Sequence, residues 1–199
     1  MKKIGLLAMI EAAFFAAFAL ILDLLPSIKL SPAISISIAM VPIFILAFRW
    51  GYKVALLSGF LWGLLQVAVG DIYFLTPIQF AIEYFIAFAF VGFAGLFYKI
   101  IHSYLQKGDK KTAMVWIVVA TFVGSLARYF WHFVAGFIFW GEYAPEGMSP
   151  VLYSLVVNGG TMLGAAILCS IVVVLLISSA PRLLQRKPTY ISINQKNAS

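Results

Sequence analysis

Apolar positions come in long blocks along this chain, and the polar positions between them are few and clustered. Six blocks are read as membrane-crossing helices: about residues 4–25, 33–48, 54–69, 77–97, 112–138 and 151–180. A spanning helix needs roughly 20 consecutive apolar residues, so the second and third blocks are short for the task. Pro26 stops the first block. Ser27, Lys29 and the Ser31-Pro32 pair then predict an irregular loop from Ser27 to Ser37. Arg49-Trp50-Gly51-Tyr52-Lys53 reads as a basic turn with interfacial aromatics, and Gly70-Asp71 as the next turn. Residues 99–111 form the longest polar connection, and the Gly- and Pro-bearing stretch 140–150 another loop. The tail after Pro181 is expected to be disordered beyond its basic cluster. The pattern predicts an all-α membrane protein, with one six-helix transmembrane domain over residues 1–180 and a basic cytoplasmic tail over 181–199.

Composition sharpens this picture. The 199 residues are 63% hydrophobic and only 11% charged, against about 25% charged in soluble domains. Six spans therefore leave no room for a separate soluble domain. The N-terminus resembles a signal peptide, with Lys2 and Lys3 before an apolar stretch. Glu11 interrupts that stretch, and the apolar run continues to Leu25, so it reads as the first spanning helix. The single cysteine, Cys169, cannot form an internal disulfide or a zinc cluster and reads as a small core residue.

The net charge of +7 raises the question of a nucleic-acid partner. Charge placement answers it. Lys2, Lys3, Arg49, Lys53, Lys99, Lys107, Lys110, Lys111, Arg182, Arg186, Lys187 and Lys196 fall at one set of helix ends. The opposite ends hold only Lys29, alongside Asp23, Asp71, Glu142 and Glu146. The positive-inside rule makes the first set cytoplasmic, with both termini there. The charge is thus explained by the bilayer and no nucleic acid is expected. The chain shows no convincing internal repeat, which weakens a reading as a transporter built from inverted halves.

Ionisable groups inside spans are costly and usually functional. Four occur: Glu11, Glu83, Arg128 and His132. Glu83 is read either as the partner of Arg128 or as a counter-charge for a bound cation. Arg128, His132, Gly136 and Trp140 recur every four residues, a spacing that puts them on one slowly drifting helical stripe. Gly136 lacks a side chain, so a ring could approach the backbone there. Tyr153 and Asn158 open the last span, and an intramembrane Asn needs a hydrogen-bond partner, either another helix or a ligand. Together a carboxylate, aromatic faces, imidazole, phenol and amide suit a flat, cationic, nitrogen-rich heterocycle. Cation–π contacts contribute about 0.5–2 kcal/mol each. Ala8, Ala12 and Ala16, with Ala13 and Ala17 alongside, form small-residue rows that permit close helix approach. Glu11 is assigned no role.

The residues Glu83-Tyr84, the stretch from Arg128 through Trp140-Gly141-Glu142-Tyr143-Ala144-Pro145 to Tyr153, and Asn158-Gly159 resemble the thiamine-specific substrate-binding (S) components of energy-coupling factor transporters. That resemblance implies a six-helix bundle with a thiamine site near the outer surface and no transport without partners. It implies that Glu83 balances the thiazolium, Tyr84 lines the site and Trp140 stacks on a ring. His132, Tyr153 and Asn158 would supply polar contacts and Gly136 space, with Arg128 near or paired to Glu83. It also implies that Ala8, Ala12 and Ala16 dock on a transmembrane coupling subunit carrying two ATP-binding subunits. No cofactor is implied, thiamine being the transported ligand. Some relatives place an aromatic in the first outer loop; residues 27–37 contain none.

Other functions are weighed against this one. The chain has no GxxxxGK[ST] loop, so ATP hydrolysis would belong to partners. An S component for another vitamin is the nearest alternative. An autonomous ion-coupled transporter would need a fuller ionisable relay than Glu83, Arg128 and His132. An intramembrane hydrolase lacks both HExxH and GxSxG, and the chain is not expected to be an enzyme.

Overall fold

The computed structural model describes residues 4–28 and 34–186 in full and the backbone of residues 29–31. Six helices are described: α1 (Leu6–Asp23), α2 (Val41–Trp50), α3 (Tyr52–Val69), α4 (Pro77–Gln106), α5 (Lys110–Phe139) and α6 (Pro150–Ser179). All but α2 are long and apolar enough to cross a membrane. Lys2, Lys3, Lys187, Lys196 and the expected disorder of the tail lie outside the described residues.

The second apolar block corrects the sequence reading. Its first half is not helical. Ile28–Ser31 (β1) pairs antiparallel with Ile34–Ile36 (β2), and only Val41–Trp50 is helix. Ten helical residues rise about 15 Å, half of a hydrocarbon core of about 30 Å. The signal was present in the alternation Ile34-Ser35-Ile36-Ser37-Ile38, a two-residue period that suits a strand. The hairpin lies on α6, where Ile36 reaches Gly164 and Ile34 reaches Gly160. α2 itself is enclosed by the bundle, with every residue from Val41 to Phe48 buried.

Local chemistry sets the helix ends. Thr76 caps α4 by accepting from the Gln79 N–H at 3.1 Å, with Pro77 in the first turn. Asp109 caps α5 at 3.1 Å from the Thr112 N–H, and these Thr112 hydrogen bonds hold its carboxyl below the usual range. Ser149 caps α6 at 3.2 Å from the Leu152 N–H. α4 runs on to Gln106, well past the expected end near residue 97, so most of the expected polar connection is helix. Within α4, Ala81–Ile86 is a π-helical stretch and Val91–Phe97 a 3-10 stretch.

The α1 alanine row is also relocated. Ala8, Ala12 and Ala16 are buried at 2%, 0% and 0% exposure against this chain's own α2 and α3. The Ser58 hydroxyl donates to the Ala12 carbonyl at 2.7 Å. This face is occupied from within and is not free to dock a partner. Ala13 and Ala17 face outward.

Glu11 acquires a structural role. Arg49 grips its carboxylate through Nε at 2.6 Å and Nη2 at 2.8 Å, and the Trp50 indole donates at 2.6 Å. Arg49 Nη1 also donates to the carbonyls of Leu183, at 3.2 Å, and Gln185. One arginine thus joins α1, α2 and the start of the tail.

Candidate ligand-binding site

At the lysine-poor end of the bundle, α3–α6 surround a cavity of about 750 Å³. All eight residues singled out for binding line it: Glu83, Tyr84, Arg128, His132, Gly136, Trp140, Tyr153 and Asn158.

Glu83 and Tyr84 sit on the π-helical stretch, an irregularity that frequently marks functional sites. α3 comes so close at Gly63 that an added Cβ would meet the Tyr84 carbonyl. Any larger residue there would push the π stretch away. The Glu83 carboxylate accepts from the Trp140 indole N–H at 2.9 Å and from the Gln79 amide. Gln79 is fully buried and also binds the backbone of the preceding loop, at the Tyr73 carbonyl and the Leu75 N–H, both at 3.1 Å. The Tyr84 hydroxyl accepts from the Tyr73 N–H at 2.8 Å. Loop, π stretch and the end of α5 are therefore fixed around one carboxylate.

Arg128 does not pair with Glu83, which corrects that alternative. Its guanidinium lies over Phe88 at 4.3 Å and Trp62 at 4.5 Å, a cation–π cage. Its Nε is 3.4 Å from His132 Nε2. The Asp23 carboxylate accepts from Gln66 and makes no ion pair with Arg128 among the described residues. Glu83 is left with neutral hydrogen-bond donors and no cation among the described residues.

The i, i+4 stripe on α5 is present, and Gly136 both lines the cavity and admits α6. A Cβ there would strike the Ser154 hydroxyl, with Asn158 Nδ2 at 3.0 Å. Ser154 donates to the Phe133 carbonyl at 2.8 Å, and Asn158 Nδ2 reaches the Ser154 carbonyl and hydroxyl at 3.2 Å each. The Asn158 amide nitrogen is thereby engaged, leaving its carbonyl oxygen as the acceptor available in the cavity wall.

Sequence reading missed Gln66, Asp71, Tyr73, Phe88, Tyr143, Ser154 and Val157, which also line the cavity. Tyr73 meets Trp140 edge-on at 6.3 Å, and Tyr143 lies 5.8 Å from it. Phe88 was findable, lying four residues beyond Tyr84 on α4. Nothing local marks Tyr73, which the loop carries into place. The loop after α3 thus brings an aromatic ring to Trp140, where residues 27–37 have none to offer.

A half-buried carboxylate among aromatic rings, in a cavity open at one end of a membrane-spanning bundle, defines a small-molecule-binding membrane protein. Comparison with known proteins narrows the class. Residues 9–185 match the family described as Thiamine transporter protein (Thia_YuaJ), and the chain belongs to that family. It is 40% identical over 182 residues to the thiamine transporter ThiT of Bacillus subtilis (strain 168), covering 90% of this chain and 95% of that one. It is 37% identical over 185 residues to ThiT of Lacticaseibacillus paracasei, covering 92% of each. The solved structure of ThiT from Listeria monocytogenes superposes with a TM-score of 0.86 at 40% identity, over 90% of this chain and 97% of that one.

Proposed function

We propose that this chain captures thiamine in the α3–α6 cavity and serves as the substrate-binding component of an energy-coupling factor importer. One observation carries the reading: the Glu83 carboxylate is held by Trp140 and Gln79 yet has no cationic partner among the described residues. A partly desolvated anion of this kind is stabilised by an incoming cation such as the thiazolium. Trp140, Tyr73 and Tyr143 offer ring faces and edges to a flat ligand. Asn158, His132 and Tyr153 offer hydrogen bonds to the aminopyrimidine. Arg128, caged by Phe88 and Trp62, closes the inner wall rather than neutralising Glu83.

The lysine and arginine bias puts the cavity at the extracellular end and both termini in the cytoplasm. With no phosphate loop in the chain, energy comes from a coupling subunit and two ATP-binding subunits. The outward Ala13 and Ala17 replace Ala8, Ala12 and Ala16 as the small residues on α1 at which a coupling helix fits.

Titrating detergent-purified protein with a panel of vitamins, followed by tryptophan fluorescence, tests the reading. Thiamine should quench at the lowest concentration, with Trp140 reporting. Tighter quenching by another vitamin would reassign the ligand, and uptake by the isolated protein that an ionophore collapses would reassign the transport mode.

A further inference from the structure

A second cavity, of about 570 Å³, lies at the opposite, lysine-rich end of the bundle. Its walls are the start of α1 (Ile4, Ala8), the α2–α3 turn (Trp50–Val54), the middle of α4 (Gly95–Lys99) and Arg186 from the chain after α6. α3 and α4 cross almost backbone to backbone here, since a Cβ on Gly95 would strike the Tyr52 N–H. That crossing brings Lys53 and Lys99, second residues after the turn and after the 3-10 stretch, into one groove.

Arg186 is fixed in place. Its guanidinium lies 4.6 Å from the Trp50 ring centroid and 4.8 Å from that of Tyr98, and its Nε donates to the Arg49 carbonyl at 2.9 Å. Lys53, Lys99 and Arg186 have no carboxylate partner among the described residues. The nearby acid, Glu11, is already gripped by Arg49 and Trp50. Residues 1–3 and 187–199 contain further lysines and no Asp or Glu. The uncapped start of α3 reinforces the same preference for an anion.

Positive ends alone are what orientation in the membrane requires. A concave site in which one arginine is pre-set between two rings, beside two unpaired lysines, is more than orientation requires. We infer that this groove binds the phosphate headgroup of an anionic phospholipid from the cytoplasmic leaflet. A lipid is favoured over a free anion because the groove's own apolar wall is uncovered, with Leu96 57% and Tyr52 39% exposed, so acyl chains can follow the headgroup. Basic pockets between spanning helices are suited to such headgroups. The site is at the far end from the thiamine cavity and does not depend on that assignment.

The test is native mass spectrometry of the full chain, with phosphatidylglycerol or cardiolipin set against phosphatidylcholine, followed by thermal shift with each lipid. Lys53→Gln, Lys99→Gln and Arg186→Gln should each reduce retained anionic lipid about fivefold. The triple variant Lys107→Gln/Lys110→Gln/Lys111→Gln, which removes the same kind of charge elsewhere on that face, should not. Lys53→Arg with Lys99→Arg should restore retention and guards against a folding defect. Thiamine affinity should be unchanged in every groove variant. Equal retention of phosphatidylcholine, equal loss in the control triple variant, or equal protection by inorganic phosphate alone would each overturn the lipid site. So would groove variants that keep their lipid yet lose uptake, which would assign the groove to a protein partner.

Discussion

At the scale of single residues, Glu83 is the group on which the proposed thiamine binding turns. Its carboxylate already has two neutral donors, so Glu83→Gln removes the charge while changing the shape little. Thiamine affinity is expected to fall by about tenfold or more, because an unpaired, partly desolvated cation costs several kcal/mol before relaxation. Isothermal titration of the folded variant checks this, and unchanged affinity would make the carboxylate structural. Trp140 donates its indole N–H to Glu83 and, in the proposed function, offers the ligand a π face. Trp140→Phe should keep the face and lose the hydrogen bond, weakening binding less than Trp140→Ala. Ligand quenching of tryptophan emission should shrink in both. Normal quenching in Trp140→Ala would show that a different tryptophan reports the ligand.

Among the helices, α1 divides into a face turned inward and a face turned outward. Ala12 is fully buried beneath α3, with the Ser58 hydroxyl on its carbonyl. Ala12→Trp must therefore overpack the bundle, and overpacking costs about 1–3 kcal/mol or more. A lowered melting temperature in detergent and weakened thiamine binding are expected together. Ala17, five positions further along the helix and exposed, should behave oppositely. Ala17→Trp should melt and bind thiamine normally, yet fail to support uptake in cells carrying the coupling machinery. If Ala17→Trp cells take up thiamine as wild type does, coupling occurs on another face. Periodicity in the sequence revealed small-residue rows at both 8/12/16 and 13/17 but not which row faced inward. The two rows differ by about 100° of helix rotation, and that angle is set by neighbours.

The whole molecule is held at its lysine-rich end by the Glu11–Arg49–Trp50 cluster, which ties α1, α2 and residues 183–185 together. Glu11→Gln removes the charge that Arg49 grips at two points. Hydrogen bonds to charged groups contribute about 1.5–3 kcal/mol, so a measurable drop in melting temperature is expected. The cavity lies at the other end and should retain its thiamine affinity. Weakened binding in a variant of normal stability would instead reveal communication between the two ends.

The sequence by itself located five spanning helices and eight of the fifteen residues around the cavity, and it carries the lysine bias on which the proposed orientation rests. Hydropathy and lysine placement are local properties that add along the chain, and the four-residue spacing from Arg128 to Trp140 fixes a shared face on any helix. It also carried, unread, the two-residue alternation at residues 34–38 that makes a strand. Only the tertiary structure decided the partners. Glu83 bonds Trp140, 57 residues away, rather than Arg128. Arg128 lies over two rings, Glu11 binds an arginine 38 residues away, and Gly136 makes room for Ser154. Several partners were chemically acceptable for each group. The selection among them depends on which helix lies beside which, at what depth and at what rotation, and a one-dimensional pattern does not contain those three quantities.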